Sequence, residues 1–176
     1  MRTITYGGAT SLDGFLARAD HATDWLMWCD EAAEYMKLYW AKIDTILMGR
    51  KTYEVAVKNS PAGVGTFPGI TSYVFSRTLP PGKLGDATVI ADAVPFVREL
   101  KARPGKDICL MGGGELARPL LEAGLVDEIG FNLHPVLLGS GVPAFHPMSR
   151  QIDLQPTECR AFKNGCVLVT YRVKSS

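Results

Sequence analysis

The run from Asp107 to Leu116, Asp-Ile-Cys-Leu-Met-Gly-Gly-Gly-Glu-Leu, constrains the fold more than any other stretch. Its first half is a continuous apolar run of strand type. Gly112, Gly113 and Gly114 then remove every Cβ from the backbone at the strand's end, and a helix-like segment follows at once. The free N–H groups and dipole of such a helix favour an anion lying against the bare main chain. The same logic returns upstream. Thr45-Ile46-Leu47-Met48 ends at Gly49, after which Arg50-Lys51-Thr52-Tyr53-Glu54 opens another helical pattern.

The other segments fit this alternation. Thr3 to Thr10 alternates like a strand and breaks at Ser11-Leu12-Asp13-Gly14, before Phe15-Leu16-Ala17. Asp30 to Trp40 has helical spacing behind first-turn acids, with Trp25, Trp28, Tyr35, Tyr39 and Trp40 expected as core and cleft wall. Residues 59–70, rich in Gly, Pro and Ser, are expected to form a binding loop or flap. Ser72 to Phe75 is a strand ending at Ser76-Arg77-Thr78 and the Pro80-Pro81-Gly82 turn. Ala87 to Ala91 is another, followed by Asp92 as an N-cap for a helix through Val97, Leu100 and Lys101. A helix over Leu116 to Ala123 requires Pro119 in or near its first turn, with Gly124 as its C′ residue. Ile129 to Leu138 reads as a strand carrying Asn132 and His134, then a loop from Gly139 to Pro147. Asn164-Gly165 centres a hairpin within Gln155 to Val173.

Alternation of this kind predicts one α/β domain over residues 1–176: a three-layer fold with a mainly parallel central sheet and an antiparallel C-terminal hairpin. The net charge of +1 offers no general attraction to nucleic acid or acidic membranes. Four cysteines without a Cys-x-x-Cys pair indicate a reducing compartment and no zinc site; the three histidines are scattered. With neither a signal-peptide pattern nor an apolar run of ~18 residues, the chain is expected to be cytoplasmic. No Gly-x-Ser-x-Gly elbow or P-loop supports a hydrolase or phosphotransferase.

Parallel strands share one C-terminal edge, where open α/β sheets bind ligands. Gly49 to Thr52, Ser76 to Thr78 and Gly112 to Gly114 should therefore meet on one rim. Arg50, Lys51 and Arg77 supply cations there, and Thr52, Ser76 and Thr78 supply hydroxyls, which together describe a polyanion site. Separate clusters for a pyrophosphate and a further phosphate monoester fit NADPH better than NADH. Gly112, Gly114 and Ala117 formally match the G-x-G-x-x-A fingerprint, but after a late strand and with no acid at the expected distance, which argues against a Rossmann site.

Ser11-Leu12-Asp13-Gly14, Leu47 to Glu54, Ser76-Arg77-Thr78, Met111 to Leu116 and Leu137-Leu138-Gly139-Ser140-Gly141 with Phe145 occur in an order that resembles the dihydrofolate reductase-like superfamily. More specifically, the chain resembles the reductase domain of the bifunctional riboflavin-biosynthesis deaminase-reductase, as a stand-alone protein. The resemblance implies a sheet of about eight strands, NADPH as cofactor and a homodimer. It implies that Gly49, Arg50, Lys51 and Thr52 contact phosphates, that Ser76, Arg77 and Thr78 flank the 2′-phosphate, and that Gly112, Gly113, Gly114, Glu115 and Leu116 meet the pyrophosphate through backbone N–H groups. Ala9, Leu16 and Ala17 would line the nicotinamide, and a cis peptide is expected within the glycine run. Asp13 resembles the loop acid of the riboflavin-type reductases; Asp30 and Glu34 are the candidates for a first-helix carboxylate. Asn132 and His134 are candidate substrate donors, with a structural role as the other reading of His134. The implied activity is NADPH-dependent reduction of a small heterocycle, of the 5-amino-6-(5-phosphoribosylamino)uracil reductase type. Dihydrofolate or pterin reduction, and nucleotide binding without catalysis, are the alternatives.

Overall fold

The computed structural model describes residues 1–60 and 67–174. Its elements are β1 (Ile4–Ser11), β2 (Phe15–Ala17), α1 (Asp30–Trp40), β3 (Ile43–Gly49), α2 (Arg50–Asn59), β4 (Thr71–Phe75), β5 (Gly82–Leu84), β6 (Ala87–Ile90), α3 (Ala93–Ala102), β7 (Asp107–Gly112), α4 (Gly114–Glu122), β8 (Glu128–His134), β9 (Val142–Pro143), β10 (Leu154–Ala161) and β11 (Val167–Val173). A nine-stranded sheet has the order β10-β11-β8-β1-β7-β3-β4-β6-β5. Its six central strands, β8 to β6 in that order, pair in parallel, while β5, β10 and β11 are antiparallel. The fold is thus α/β, mainly parallel, with the expected C-terminal hairpin.

Strand alternation divides the core into two layers. Leu47 faces the same side as Ile4, Tyr6, Ile108 and Leu110, where Val97 and Leu100 of α3 and Leu116, Ala117, Leu120 and Leu121 of α4 complete the larger cluster. Its neighbours Ile46 and Met48 face the other side, against Tyr39 and Trp40 of α1 and Tyr53 of α2. Each leucine or isoleucine fully buried here contributes about 1.5–3 kcal/mol.

Local chemistry sets the boundaries. Gly124 takes φ +65°, and the bonds Leu125 N–H to Leu120 O and Gly124 N–H to Leu121 O form a Schellman closure of α4. The hairpin closes through Phe162 N–H to Cys166 O and Gly165 N–H to Phe162 O. Lys101, expected on the α3 core stripe, is buried because its Nζ donates to Leu125 O and pairs with Asp127.

Several expectations are corrected. α4 starts two residues early, at Gly114, so Pro119 lies in its second turn and removes one helical bond there. β8 stops at His134 because Pro135 has no N–H to continue the ladder; Val136 N–H instead turns back to His134 O. Asp92 holds the N-cap position of α3 without a side-chain cap bond. The short strands β5 and β9 carry no sequence signal of their own, and β9 pairs with β2 as a separate two-stranded sheet. The large sheet has nine strands where the resemblance implies about eight. α2 extends to Asn59, and the middle of the expected flap, 61–66, lies outside the described residues.

Candidate active site

Parallel pairing brings the three expected strand ends together. Gly49 at the end of β3 is in register with Phe75 of β4, and Met48 pairs with Gly112 of β7. A Cβ built on Gly49 would touch Gly112 O and Gly113 N, both at 3.7 Å, and one on Gly113 would lie 3.8 Å from Thr52 Oγ1. The empty Cβ positions therefore form one cradle between the N-termini of α2 and α4. Gly112 takes φ +109°, a region that favours glycine, and the Gly112–Gly113 peptide is cis, as the resemblance implies.

The cations around this cradle differ. Arg50 is ion-paired with Glu54 one helical turn on, at 2.6 Å. Lys51 and Arg77 are exposed and make no ion pair among the described residues. Ser76 is buried, and its Oγ accepts the N–H groups of Thr78 and Leu79 while lying 3.3 Å from Thr78 Oγ1. Its hydroxyl therefore shapes the loop that carries Arg77. In α4, Leu116 and Ala117 N–H both donate to Gly113 O, so Leu116 has no amide to offer a phosphate, and its side chain is in the core. Gly114 and exposed Glu115, ahead of it, supply the open N-terminal amides of the helix. Bare backbone, a helix N-terminus and guanidinium and ammonium groups fit a dinucleotide's phosphates.

The rim continues at β1 and β8. Gly112 packs between Tyr6 and Leu16: a Cβ on it would be 3.6 Å from Tyr6 Cε2 and 3.9 Å from Leu16 Cδ1. Ala9 pairs with Asn132 and Ser11 with His134 in the parallel ladder. Ala17 is buried, with its carbonyl against Gly141, where a Cβ would collide with it. Loops on this side are held from several directions. Tyr6 Oη donates to Ala144 O at 2.5 Å, Ala144 N–H donates to Gly14 O, and a Cβ on Gly114 would stand 2.6 Å from Ala144 O.

Asp13 belongs to the same fastening. Its Oδ1 accepts Ser11 Oγ–H at 2.6 Å and Leu138 N–H at 3.1 Å, and its Oδ2 accepts Gly139 N–H at 2.7 Å. The Ser11 hydroxyl, aided by those two amides, lowers the Asp13 pKa and keeps it ionised. As it stands, Asp13 is an acceptor that ties the β1–β2 turn to the loop after β8. Asp30 heads α1, exposed and without a side-chain partner among the described residues; Glu34 lies one turn further and is also exposed.

His134 lies inside the wall. It is 2% exposed; its Nδ1 accepts Met27 N–H at 3.2 Å and lies 3.4 Å from Cys166 Sγ, and Trp25 meets its ring edge-on at 5.2 Å. Desolvation lowers its pKa, so it is neutral and joins the segment before α1 to β8. The structural reading of His134 is the one this geometry supports. Asn132 Nδ2 lies 3.4 Å from His134 Nε2, while Asn132 Oδ1 and Trp25 Nε1 are buried without hydrogen-bond partners among the described residues. Sequence reasoning misses the Glu54 tie on Arg50, although its i,i+4 spacing is visible. It also misses the Tyr6–Ala144 bond, which no local signal reveals. No cluster of metal-ligating side chains occurs among the described residues.

The comparisons with known proteins agree with this geometry. The uncharacterized protein YyaP of Bacillus subtilis (strain 168) is 31% identical, over 97% of this chain and 94% of its own. Two solved structures share the fold. The deaminase/5-amino-6-(5-phosphoribosylamino)uracil reductase of Thermotoga maritima has a TM-score of 0.69 at 15% identity, covering 98% of this chain and 57% of that one. Dihydrofolate reductase of Enterococcus faecalis, complexed with NADP(H), has a TM-score of 0.67 at 15% identity, covering 98% and 97%. The sequence pattern of the RibD C-terminal domain matches residues 2–168, from the start of β1 into β11. With nearly the whole length matched and the glycine cradle at its sheet edge, the chain belongs to the RibD C-terminal domain family.

Proposed function

We propose that the chain is an NADPH-dependent reductase of a small heterocycle, of pyrimidine or pterin type. The observation that carries this reading is the convergence of Gly49–Thr52, Ser76–Thr78 and Gly112–Glu115 on one sheet edge, with Lys51 and Arg77 unpaired beside it among the described residues. NADPH, when bound, supplies the hydride; the heterocycle takes up that hydride and one proton. Amides of Gly114 and Glu115 would hold the pyrophosphate, and Arg77, with Lys51, the 2′-phosphate. Leu16, beside Gly112, together with Ala9 and Ala17 would form the wall against which the nicotinamide lies. Such chemistry asks the protein mainly for orientation and exclusion of water. Asp13 positions the walls by tying residues 138–139, and Asp30, exposed at the start of α1, is our candidate for passing a proton. We take the assembly to be a homodimer.

The test is NADPH oxidation followed by absorbance with a panel of pyrimidine and dihydropterin substrates. Turnover with any of them supports the reading; cofactor binding without turnover across the panel indicates a nucleotide-binding protein that lacks the chemistry. Methotrexate-sensitive reduction of dihydrofolate would identify the pterin alternative.

A further inference from the structure

Four cysteines occur in the chain, and no disulfide joins any of them. Their places in the sheet differ. Cys109 of β7 is buried, and three strand spacings of about 4.8 Å separate β7 from β11 in the order β11-β8-β1-β7. Cys159 of β10 pairs with Val169, which pairs in turn with Phe131, so Cys159 shares the sheet face that carries Phe131. Leu168, next to Val169 in the strand, faces the other way, in a cluster with Ala32, Phe162 and Cys166, and Cys29 packs against that cluster. Of the four, Cys29 and Cys166 are the pair brought together.

The segment around Cys29 is fastened on both sides of Cys166. Met27 N–H donates to His134 Nδ1 at 3.2 Å, and Cys166 Sγ lies 3.4 Å from that same nitrogen. Two residues after Cys29, Glu31 Oε2 accepts Lys163 N–H at 3.0 Å, three residues before Cys166. Cys29 is thus bracketed by two anchors, one on the neighbour of Cys166 in space and one on its neighbour in sequence. It is part-exposed at the N-cap position of α1, whereas Cys166 is 0% exposed. Burial, and then the charge of nearby Cys29, raises the Cys166 pKa, so Cys166 waits as a thiol.

We infer that Cys29 and Cys166 form a reversible disulfide, with Cys29 as the thiol that meets the oxidant and Cys166 as the one that resolves it. Hydrogen peroxide is the class of oxidant that fits: a small neutral molecule is not repelled by Asp30 and Glu31, which follow Cys29 directly. The Cys29 sulfur attacks one peroxide oxygen; the S–O bond forms, the O–O bond breaks, and hydroxide leaves with the Cys29 proton as water. The Cys166 sulfur then attacks the Cys29 sulfur; the S–S bond forms, the S–O bond breaks, and the second hydroxide takes the Cys166 proton, past His134 Nδ1, as water. The sum oxidises two thiols and reduces one peroxide to two waters, and a dithiol reductant reverses it. The bond pins the start of α1, with Asp30, to the start of β11. In a reducing compartment it is transient. The inference is independent of the reductase reading.

The test treats the full chain with hydrogen peroxide, removes the excess with catalase, unfolds the protein, labels free thiols with N-ethylmaleimide and maps the peptides by mass spectrometry. Two of the four thiols should escape the label, joined in one species that carries Cys29 and Cys166, lighter by two hydrogen atoms and restored by dithiothreitol. In Cys166→Ser the same exposure should leave Cys29 as a sulfenic acid that dimedone traps, and in Cys29→Ser the Cys166 thiol should stay fully labelled. Four labelled thiols in the treated wild type, or a bond that uses Cys109 or Cys159, overturns the inference. Thermal melting reads the geometry without a variant: the oxidised chain should melt several degrees above the reduced one, since a bond made without strain restricts the unfolded chain. An equal or lower melting temperature would show that the two cysteines must be pulled out of place, and overturns the inference as well.

Discussion

The proposed phosphate end and the proposed substrate end of the site are built on opposite plans. At β3, β4 and β7 the protein presents backbone, through Gly49, Gly112 and Gly113, and leaves Lys51 and Arg77 without partners among the described residues. Around β1, β2 and β8 several polar side chains are engaged within the protein: Asp13 accepts Ser11 Oγ–H and the Leu138 and Gly139 amides, His134 accepts Met27 N–H, and Arg18 pairs with Asp24. Affinity for a polyanion needs free donors, whereas shape at a substrate wall needs donors and acceptors that are already satisfied. On the proposed reading, the first end would bind the cofactor and the second would discriminate among substrates.

The largest effect should come from the residue that joins the two ends. Gly114→Ala puts a Cβ 2.6 Å from Ala144 O and 2.8 Å from Pro143 O, so the loop carrying residues 143–146 must move away from α4. Overpacking of this kind costs about 1–3 kcal/mol. At roughly 2–4 °C per kcal/mol for a chain of this size, thermal melting should show a drop of several degrees, with NADPH affinity falling alongside.

Next come the cations. Arg77→Ala should weaken NADPH by about 1.5–3 kcal/mol, the loss of a charged hydrogen bond, and change NADH little. Arg50→Ala should cost less, because Glu54 already holds that guanidinium. Equal losses for both variants would show that the two arginines share the 2′-phosphate. Isothermal titration of both variants with both cofactors reads this out.

A smaller effect is expected from Asp13→Asn. It weakens the tie to Leu138 and Gly139, so the substrate KM should rise more than kcat falls; a collapse of kcat at unchanged KM would instead make Asp13 a catalytic acid. The smallest concerns pH. His134 is held neutral with a folded pKa below its ordinary 6.5, so below that value the unfolded chain binds a proton that the folded chain refuses. Stability should fall as pH drops through about 6.5, and in His134→Asn that part of the dependence should disappear; denaturant melts on either side of that value compare the two.

The contrast also explains what is legible in the sequence. The phosphate end rests on glycines at strand ends, and a missing Cβ is written locally, so Gly49 and Gly112–Gly114 can be placed from the amino-acid order alone. Parallel alternation then puts them on one edge. The substrate end depends on contacts across more than a hundred residues, such as Asp13 with Gly139 and Met27 with His134, which no spacing encodes. Ser76 shows the limit at close range: its identity suggests a ligand donor, while its Oγ also accepts the amides of Thr78 and Leu79, a loop-shaping role that the sequence does not announce. Pro119 misleads for a related reason. Glycine permits α4 to begin at Gly114, ahead of the first strong helix former, and carries the proline into the second turn.

If the glycine cradle, with Lys51 and Arg77 unpaired beside it among the described residues, selects a 2′-phosphorylated dinucleotide, titrating the wild-type protein with NADPH and with NADH at low and physiological salt will show it. NADPH should bind at least tenfold tighter, about 1.4 kcal/mol, with the advantage shrinking as salt rises. Equal affinity for the two cofactors, or no binding of either, would contradict it.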